Sequence, residues 1–335
     1  MRLEIREETA SMVLPDGRQV VRRVEVRTHP LTGDTVRILT PPHRPLRIPD
    51  LRTAYAHTLE GCPFCPEAVE TRTPAFPPDL LGEGRVAVGE VRVFPNLLAY
   101  AGLSAVSVLT REHFVELRDF TEPMLLDAFE AARRVLGAVR ERRPDLAVRL
   151  LHWNYMPPAG SSIVHPHHQL MATPTAPTRL RRLAEGATRI GAPPGTNPWH
   201  HLVSEERRAG ARWLGEAGPW RLLVDPAPQG RYFEWVAVHA SKADMADLEA
   251  SDWGALVPGL LTLFGYLESQ GLWSFNLAAM GLPDPSFRCQ VRLVPRAFLP
   301  PASCSDIHFD VLEQEPMILR SPEDVASELR PLFGG

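Results

Sequence analysis

The chain has 335 residues, 44% hydrophobic and 23% charged, with 36 Lys+Arg against 40 Asp+Glu and a formal charge of −4. That is enough for one large or two average domains with a real core, and the lack of a basic excess argues against nucleic acid or an anionic membrane as partner. One lysine, Lys242, stands among the basic residues; this excludes a phosphate-binding loop built on lysine and argues against a Schiff-base enzyme.

The N-terminal stretch MRLEIREETASMVLPDG lacks the apolar centre of a signal peptide, and no run of eighteen apolar residues predicts a membrane helix, so a cytoplasmic location is expected. Residues 19–39 alternate apolar and polar, which predicts two strands joined by a turn over Pro30–Asp34. Residues 41–82 are rich in proline and charge and read as an extended loop holding Cys62-Pro-Phe-Cys65. Strands are expected at 85–95 and 104–110. A helix is expected over 121–143, with Thr121 as its N-cap and apolar residues at helical spacing from Met124 to Val139. A strand at 147–154, a Pro/Gly/Ser loop at 156–162 and a strand at 164–172 follow. Residues 173–200 read as a connector with a short helix at its centre, whose RLRRL run reads as a solvated face.

The second half repeats this outline: strands at 219–225 and 231–239, a turn at Asp247–Glu249, a helix at 252–269, the strand 273–278, a loop, and the strand 287–296. An ungapped match sets Asn276 on Asn154 and puts Phe287, Cys289 and Val291 where the first half has His165, His167 and Gln169. An internal duplication is expected, with the histidines lost from the second copy. The fold class predicted is α+β. Residues 1–175 form the first half, 176–200 the connector and 201–335 a degenerate second half.

The strongest chemical signal is His165-Pro-His167-His-Gln169. In a strand, residues two apart share a face, so His165, His167 and Gln169 would stand side by side, about 6–7 Å apart at Cα. The second signal is the Cys62/Cys65 pair. Two thiols so close in sequence can grip one tetrahedral zinc, with His165 and His113 as candidates for the remaining two ligands. A redox pair is the alternative, but that motif is expected where a helix opens, and here the setting reads as a proline-rich loop. Cys289 and Cys304 read as plain buried thiols.

These residues, together with His29-Pro-Leu-Thr-Gly33, Pro42-His-Arg-Pro-Leu-Arg47, Val93-Phe-Pro-Asn96, Arg111-Glu-His113, Asn154 and the stretch from Ser162 to Gln169, resemble the galactose-1-phosphate uridylyltransferase family of the histidine-triad superfamily. The resemblance continues weakly to Trp273-Ser-Phe-Asn276 and Val294-Pro-Arg296. It implies two histidine-triad-like halves, each an antiparallel sheet with packed helices, and a homodimer. It implies that His167 attacks the α-phosphorus of a nucleoside diphosphate sugar, forming a nucleotidyl-histidine and releasing a sugar 1-phosphate. A second sugar phosphate then takes the nucleotidyl group. It also implies that His167 donates its other ring proton to the His165 carbonyl. Gln169 would bond a phosphoryl oxygen and Ser162 the phosphates. Arg44 and Arg47 would lie near the diphosphate, with Phe64, Phe94, Asn96 and Asn154 around base and ribose. Cys62, Cys65, His113 and His165 would hold a structural zinc.

The chain departs from that pattern in three places. The second-half strand reads Cys289-Gln-Val-Arg-Leu293 where some members carry a second-metal His-x-His, so no second metal is expected. Leu97 replaces an aspartate that usually follows the base-site asparagine. The sugar-contacting C-terminal segment is matched only loosely by residues 307–311, without its lysine. The sugar is therefore left open. Two further readings stay beside the transferase: a phosphorylase or hydrolase using phosphate or water as acceptor, and a non-catalytic zinc protein that binds nucleotides.

Overall fold

A computed structural model describes residues 3–42, 45–190, 192–296 and 308–334; Arg44, Ile307 and Cys304 lie outside the described residues. The elements in chain order begin with β1 (Glu4–Val13), β2 (Gln19–Thr28), β3 (Thr35–Ile38), α1 (Leu51–Tyr55), α2 (Pro66–Arg72), β4 (Val86–Val88), β5 (Val91–Pro95) and β6 (Leu103–Val108). Next are α3 (Glu122–Arg142), β7 (Val148–Tyr155), β8 (His167–Thr173), α4 (Thr178–Arg189), α5 (Pro198–Ala209), β9 (Trp213–Ala217), β10 (Trp220–Val224) and β11 (Trp235–His239). The chain then runs through α6 (Ala250–Ser269), β12 (Ser274–Met280), β13 (Gln290–Arg296), α7 (His308–Val311), β14 (Met317–Ile318) and α8 (Pro322–Leu329). No helix among the described residues is long and apolar enough to cross a membrane.

The fold is α+β. Ten strands form one antiparallel sheet in the order β4-β5-β6-β8-β7-β12-β13-β11-β10-β9, and a smaller sheet has the order β1-β2-β3-β14. The large sheet reads the same from either end: each half contributes five strands, and β7 and β12 meet at the centre with Asn154 opposite Asn276. The expected half-sheets are thus joined into one. Helices α3 and α6 lie on one face of it. Leu151, Trp153, Leu170, Phe275, Leu277 and Leu293 pack there against Phe129, Val135, Leu260 and Phe264. Alternation along β8 sends His168, Leu170 and Ala172 into this core and leaves His167, Gln169 and Met171 on the other face.

That other face is covered unevenly. At the second-half end, α4 and α5 press Leu180, Leu183, Trp199 and Leu202 onto Val148, Leu150, Leu223 and Val236. The expected connector, 176–200, therefore holds all of α4 and the start of α5, which runs on into the second half. Its RLRRL run is only partly solvated, since Leu180 and Leu183 are buried and Arg179 reaches both carboxylate oxygens of Glu234 at 2.9 Å. Gly186 permits this close approach, because a Cβ there would overlap the Leu31 carbonyl. At the first-half end, Cys62, Phe64, Cys65 and Val69 pack on Phe94, Val106 and Val108.

Several local expectations change. The loop 41–82 contains α1 and α2, and Cys65 is the N-cap of α2. Prolines mark loops, but Pro66 occupies the first helical turn, where its fixed φ and missing N–H suit a helix start. Residues 85–95 form a hairpin, β4–β5, rather than one strand. Strand β1 has no sequence signal because all ten of its residues are exposed and none builds an apolar face. Strand β8 starts at His167, so His165 sits in the preceding loop.

The two halves match differently from the ungapped alignment. Register pairs Asn276 with Val294 and Trp153 with His168, which puts Asn154 beside His167. Val294 therefore occupies the position of His167, and Arg292 and Arg296 those of His165 and Gln169. The second-half excursion is longer, and Cys289 falls before β13, fully buried. Arg292 is buried and bonds Asp225 at 2.9 Å, Glu234 at 2.5 Å and Gln290 at 2.9 Å. Burial alone would raise the Asp225 carboxyl, but His29 and Arg292 beside it hold it well below the usual carboxylate range. Arg292→Ala removes the guanidinium shared by two buried carboxylates, leaving Glu234 with Arg179 and Asp225 with His29, and is expected to cost about 3 kcal/mol in urea unfolding. The stabilisation from Asp225 is present above its unfolded pKa of about 3.9 and is lost as the pH falls through its depressed folded value. A stability loss under about 1 kcal/mol would contradict this role for Arg292.

Candidate active site and metal centre

The tight turn before α2 and the loop before β8 bring four distant residues together. One donor atom from each of Cys62, Cys65, His113 and His165 lies within 4.8 Å of every other. Cys62 Sγ stands 3.8 Å from His165 Nδ1, Cys65 Sγ 3.7 Å from the same atom, and Cys65 Sγ 3.5 Å from His113 Nδ1. For a tetrahedral ion with Zn–S of about 2.3 Å and Zn–N of about 2.0 Å, neighbouring donors stand about 3.5–3.7 Å apart. Three sulfur–nitrogen pairs, at 3.5, 3.7 and 3.8 Å, stand close to these spacings.

The tautomers fit as well. His165 Nε2 donates to the Thr110 carbonyl at 2.8 Å, leaving Nδ1 as a bare lone pair. The Thr58 hydroxyl donates to the Tyr55 carbonyl at 2.7 Å, so it accepts from His113 Nε2 at 2.9 Å, and His113 Nδ1 is bare too. Such outer hydrogen bonds fix ring orientation and ligand basicity in metal sites. With Cys65, Cys62 and both imidazoles pointing inward, four soft or borderline donors surround one point and could bind a metal. Burial pushes the Cys65 thiol up to about 12, with the neighbouring Cys62 adding to the shift, and burial pushes His165 down to about 4. Burial also lowers His113.

His167 follows directly. Its Nδ1 donates to the His165 carbonyl at 2.8 Å, so Nε2 carries the free lone pair. Burial lowers its pKa, which keeps the imidazole neutral at pH 7. The Phe64 ring lies edge-on at 5.2 Å. His167 and Gln169 form part of the lining of a cavity of about 450 Å³ with Phe64, Phe94, Asn96 and Ser162. A cavity of this size suits a small-molecule ligand. Phe64 and Phe94, 5.7 Å apart, make an apolar end, and Asn96 folds its side chain onto the Leu98 N–H at 3.0 Å.

Two expected residues are not among the lining residues of this cavity. Asn154 accepts from Asn276 at 2.8 Å across the central strand pair. Arg47 is exposed beside the second half; the adjacent Leu46 N–H bonds the Gln270 carbonyl at 2.9 Å, and Gly271, at φ +73°, has no room for a Cβ against Leu46. Sequence reading missed Thr58 and Thr110, the second of which acts through its carbonyl and so leaves no residue-type signal. It also missed Arg72 and Tyr100, which line the cavity without belonging to a motif.

No family model matches the chain. A protein of Archaeoglobus fulgidus described only as uncharacterized is 28% identical over 336 residues, 99% of both chains. A galactose-1-phosphate uridylyltransferase of Streptomyces lividans is 29% identical over 233 residues, 66% of this chain and 58% of that enzyme. Among solved structures, an ADP-glucose phosphorylase from Arabidopsis thaliana with bound ADP-glucose superimposes with a TM-score of 0.71 at 16% identity, covering 92% of this chain and 98% of that one. In sequence the chain is similar to a galactose-1-phosphate uridylyltransferase, and its fold is similar to those of a galt-like protein and an ADP-glucose phosphorylase of Arabidopsis thaliana.

Proposed function

We propose that the chain is a nucleotidyltransferase that carries a nucleoside monophosphate, UMP in the first instance, from a nucleoside diphosphate sugar to a hexose 1-phosphate through His167. Residues 1–175 are the catalytic half and 201–335 the degenerate one. The observation that carries this reading is the His167 ring. One nitrogen is tied to the His165 carbonyl, the other is free and neutral, and the residue lies on the lining of a cavity with an aromatic end. The free Nε2 attacks the α-phosphorus; an N–P bond forms, the P–O bond breaks, and its electrons leave with the sugar 1-phosphate. A phosphate monoester is a weak base and needs little proton help. Neutral imidazole is a competent nucleophile at pH 7.

Gln169, two residues along the same face, offers its amide N–H₂ to the phosphoryl oxygen as charge builds there, and Ser162 offers its hydroxyl. Removing one such donor costs about 10²–10³ in rate. Gln169→Leu is therefore expected to slow adduct formation about 100-fold with little change in stability, since the residue is only half-buried. An unchanged rate in stopped-flow quench would remove Gln169 from the reaction.

Zinc is the metal we assign to Cys62, Cys65, His113 and His165. A closed four-ligand set leaves no position for substrate, so the ion supplies rigidity to the His165 segment. A homodimer, implied by the resemblance, would let Arg47 serve the cavity of the other subunit. A monomer in light scattering would end that role.

The fold shared with an ADP-glucose phosphorylase favours one second reading, with inorganic phosphate as acceptor. Adduct isolated after exposure to UDP-glucose or ADP-glucose is mixed with glucose 1-phosphate, galactose 1-phosphate, inorganic phosphate or buffer alone. Rapid discharge only by the sugar phosphates supports the transferase. Faster discharge by phosphate makes the chain a phosphorylase.

A further inference from the structure

Gln169 has a problem that its sequence position does not solve. A glutamine amide is nearly symmetric in shape but not in charge: one end donates two hydrogen bonds and the other accepts. Turned one way, the amide meets a phosphoryl oxygen with N–H; turned the other way, it meets it with a carbonyl lone pair, which repels an anion. Packing hardly distinguishes the two, so a hydrogen-bond partner must.

That partner is Tyr100. Its hydroxyl donates to Gln169 Oε1 at 2.8 Å, and both residues line the cavity that holds His167. Tyr100 lies in the loop between β5 and β6. The register of these strands places Phe94 beside Val106 and Val106 beside Gln169, so the loop rises from the strands that form the cavity floor. The tip of the loop turns Leu97 and Leu98 out to solvent, 83% and 80% exposed, while Tyr100, itself 55% exposed, reaches Gln169 through its hydroxyl. A phenol hydroxyl can donate or accept, but it is the better donor because its oxygen lone pair is delocalised into the ring, so a carbonyl oxygen is its preferred partner. Burial also raises its pKa, which keeps that proton in place in neutral solution.

We propose that Tyr100 is a positioning residue: by holding Gln169 Oε1 it turns the Gln169 amide so that its N–H₂ faces the phosphoryl position above His167. This deepens the transferase reading and rests on it. Tyr100 does not act on the phosphorus. It supplies the orientation that makes Gln169 a donor ready before the charge appears, which is the condition under which such donors accelerate a reaction.

The test is a double-mutant cycle on the single-turnover rate of nucleotidyl-histidine formation, with Tyr100→Phe, Gln169→Leu and the pair. Tyr100→Phe removes one oxygen and keeps the ring. It is expected to slow the rate about 10-fold, with KM for the nucleotide sugar changed less than about twofold, and to have no effect in the Gln169→Leu background. A merely structural tyrosine would give additive effects. A second measurement needs no turnover: the side-chain amide resonances of Gln169, assigned by their loss in Gln169→Leu, are expected to shift in Tyr100→Phe. Full speed in Tyr100→Phe, or additivity with Gln169→Leu, overturns the positioning role and leaves the transferase reading standing. If wild type forms no adduct with any nucleotide sugar, the transferase reading falls and this role falls with it. The amide resonances then still decide whether the hydrogen bond exists, and unmoved resonances overturn it independently.

Discussion

After incubation with nucleoside diphosphate sugars and denaturation, wild-type protein is expected to gain the mass of one nucleotide, and His167→Ala to gain none. The turnover rate should fall at least ~10⁴-fold, the scale on which loss of a covalent nucleophile registers. The reasoning is geometric. The imidazole is buried, edge-on to Phe64, and fixed through Nδ1, so Nε2 is the one ring atom free to react. Nucleotide affinity should change only a few-fold by calorimetry, because the aromatic end of the cavity is untouched. His167→Asn serves as the companion variant, keeping polar volume at a position that Ala leaves hollow. An adduct that survives both substitutions would move the nucleophile elsewhere. Normal binding with no turnover in wild type as well as in the variants would instead favour a non-catalytic nucleotide-binding protein.

The second large effect belongs to the metal centre. Elemental analysis is expected to find one zinc per chain, and Cys65→Ser to lose it. The four candidate ligands come from the turn before α2, the stretch after β6 and the loop before β8, so a bound ion would tie together segments up to 103 residues apart. Its loss should cost on the order of 3 kcal/mol or more and lower Tm by about 5 °C or more. Catalysis should suffer as well. The His165 carbonyl holds the His167 Nδ1 proton; His165 Nε2 is tied to the Thr110 carbonyl, and a bound metal would hold its Nδ1. Loosening that chain should lower kcat about 10–100-fold, as loss of an orienting partner does in metal sites. A chelated, metal-free protein that keeps its Tm and full activity would show that the cluster serves neither stability nor the nucleophile.

Much of this was legible in one dimension. Apolar spacing from Met124 to Val139 carries α3, with Thr121 at its N-cap. Alternation carries the strand pair around Pro30–Asp34, which closes with His29 N–H on the Asp34 carbonyl at 2.7 Å. These are local properties: a helix stripe or a strand face is set by neighbours within a few residues. The chemistry-bearing types were legible for the same reason. His165, His167 and Gln169 are two apart, and Cys62 and Cys65 share one turn.

What the chain could not state alone is anything that depends on distant backbone. The proline-rich segment became α2 because Pro66 serves a helix start, and only packing against Phe94 and Val108 chooses that use over a loop. The halves match with Val294, not Cys289, on His167, because strand register is decided by ladder pairing across the sheet. Asn154 turned to Asn276 because the two halves meet there.

The sequence by itself determined the donor atoms and the alternation that sorts them by face. Tertiary structure decided which ring nitrogen of each histidine is free and which way the Gln169 amide turns. Those choices are made by carbonyl and hydroxyl groups of Thr110, Thr58, His165 and Tyr100, whose positions follow from how the strands and loops pack rather than from the residue types beside them.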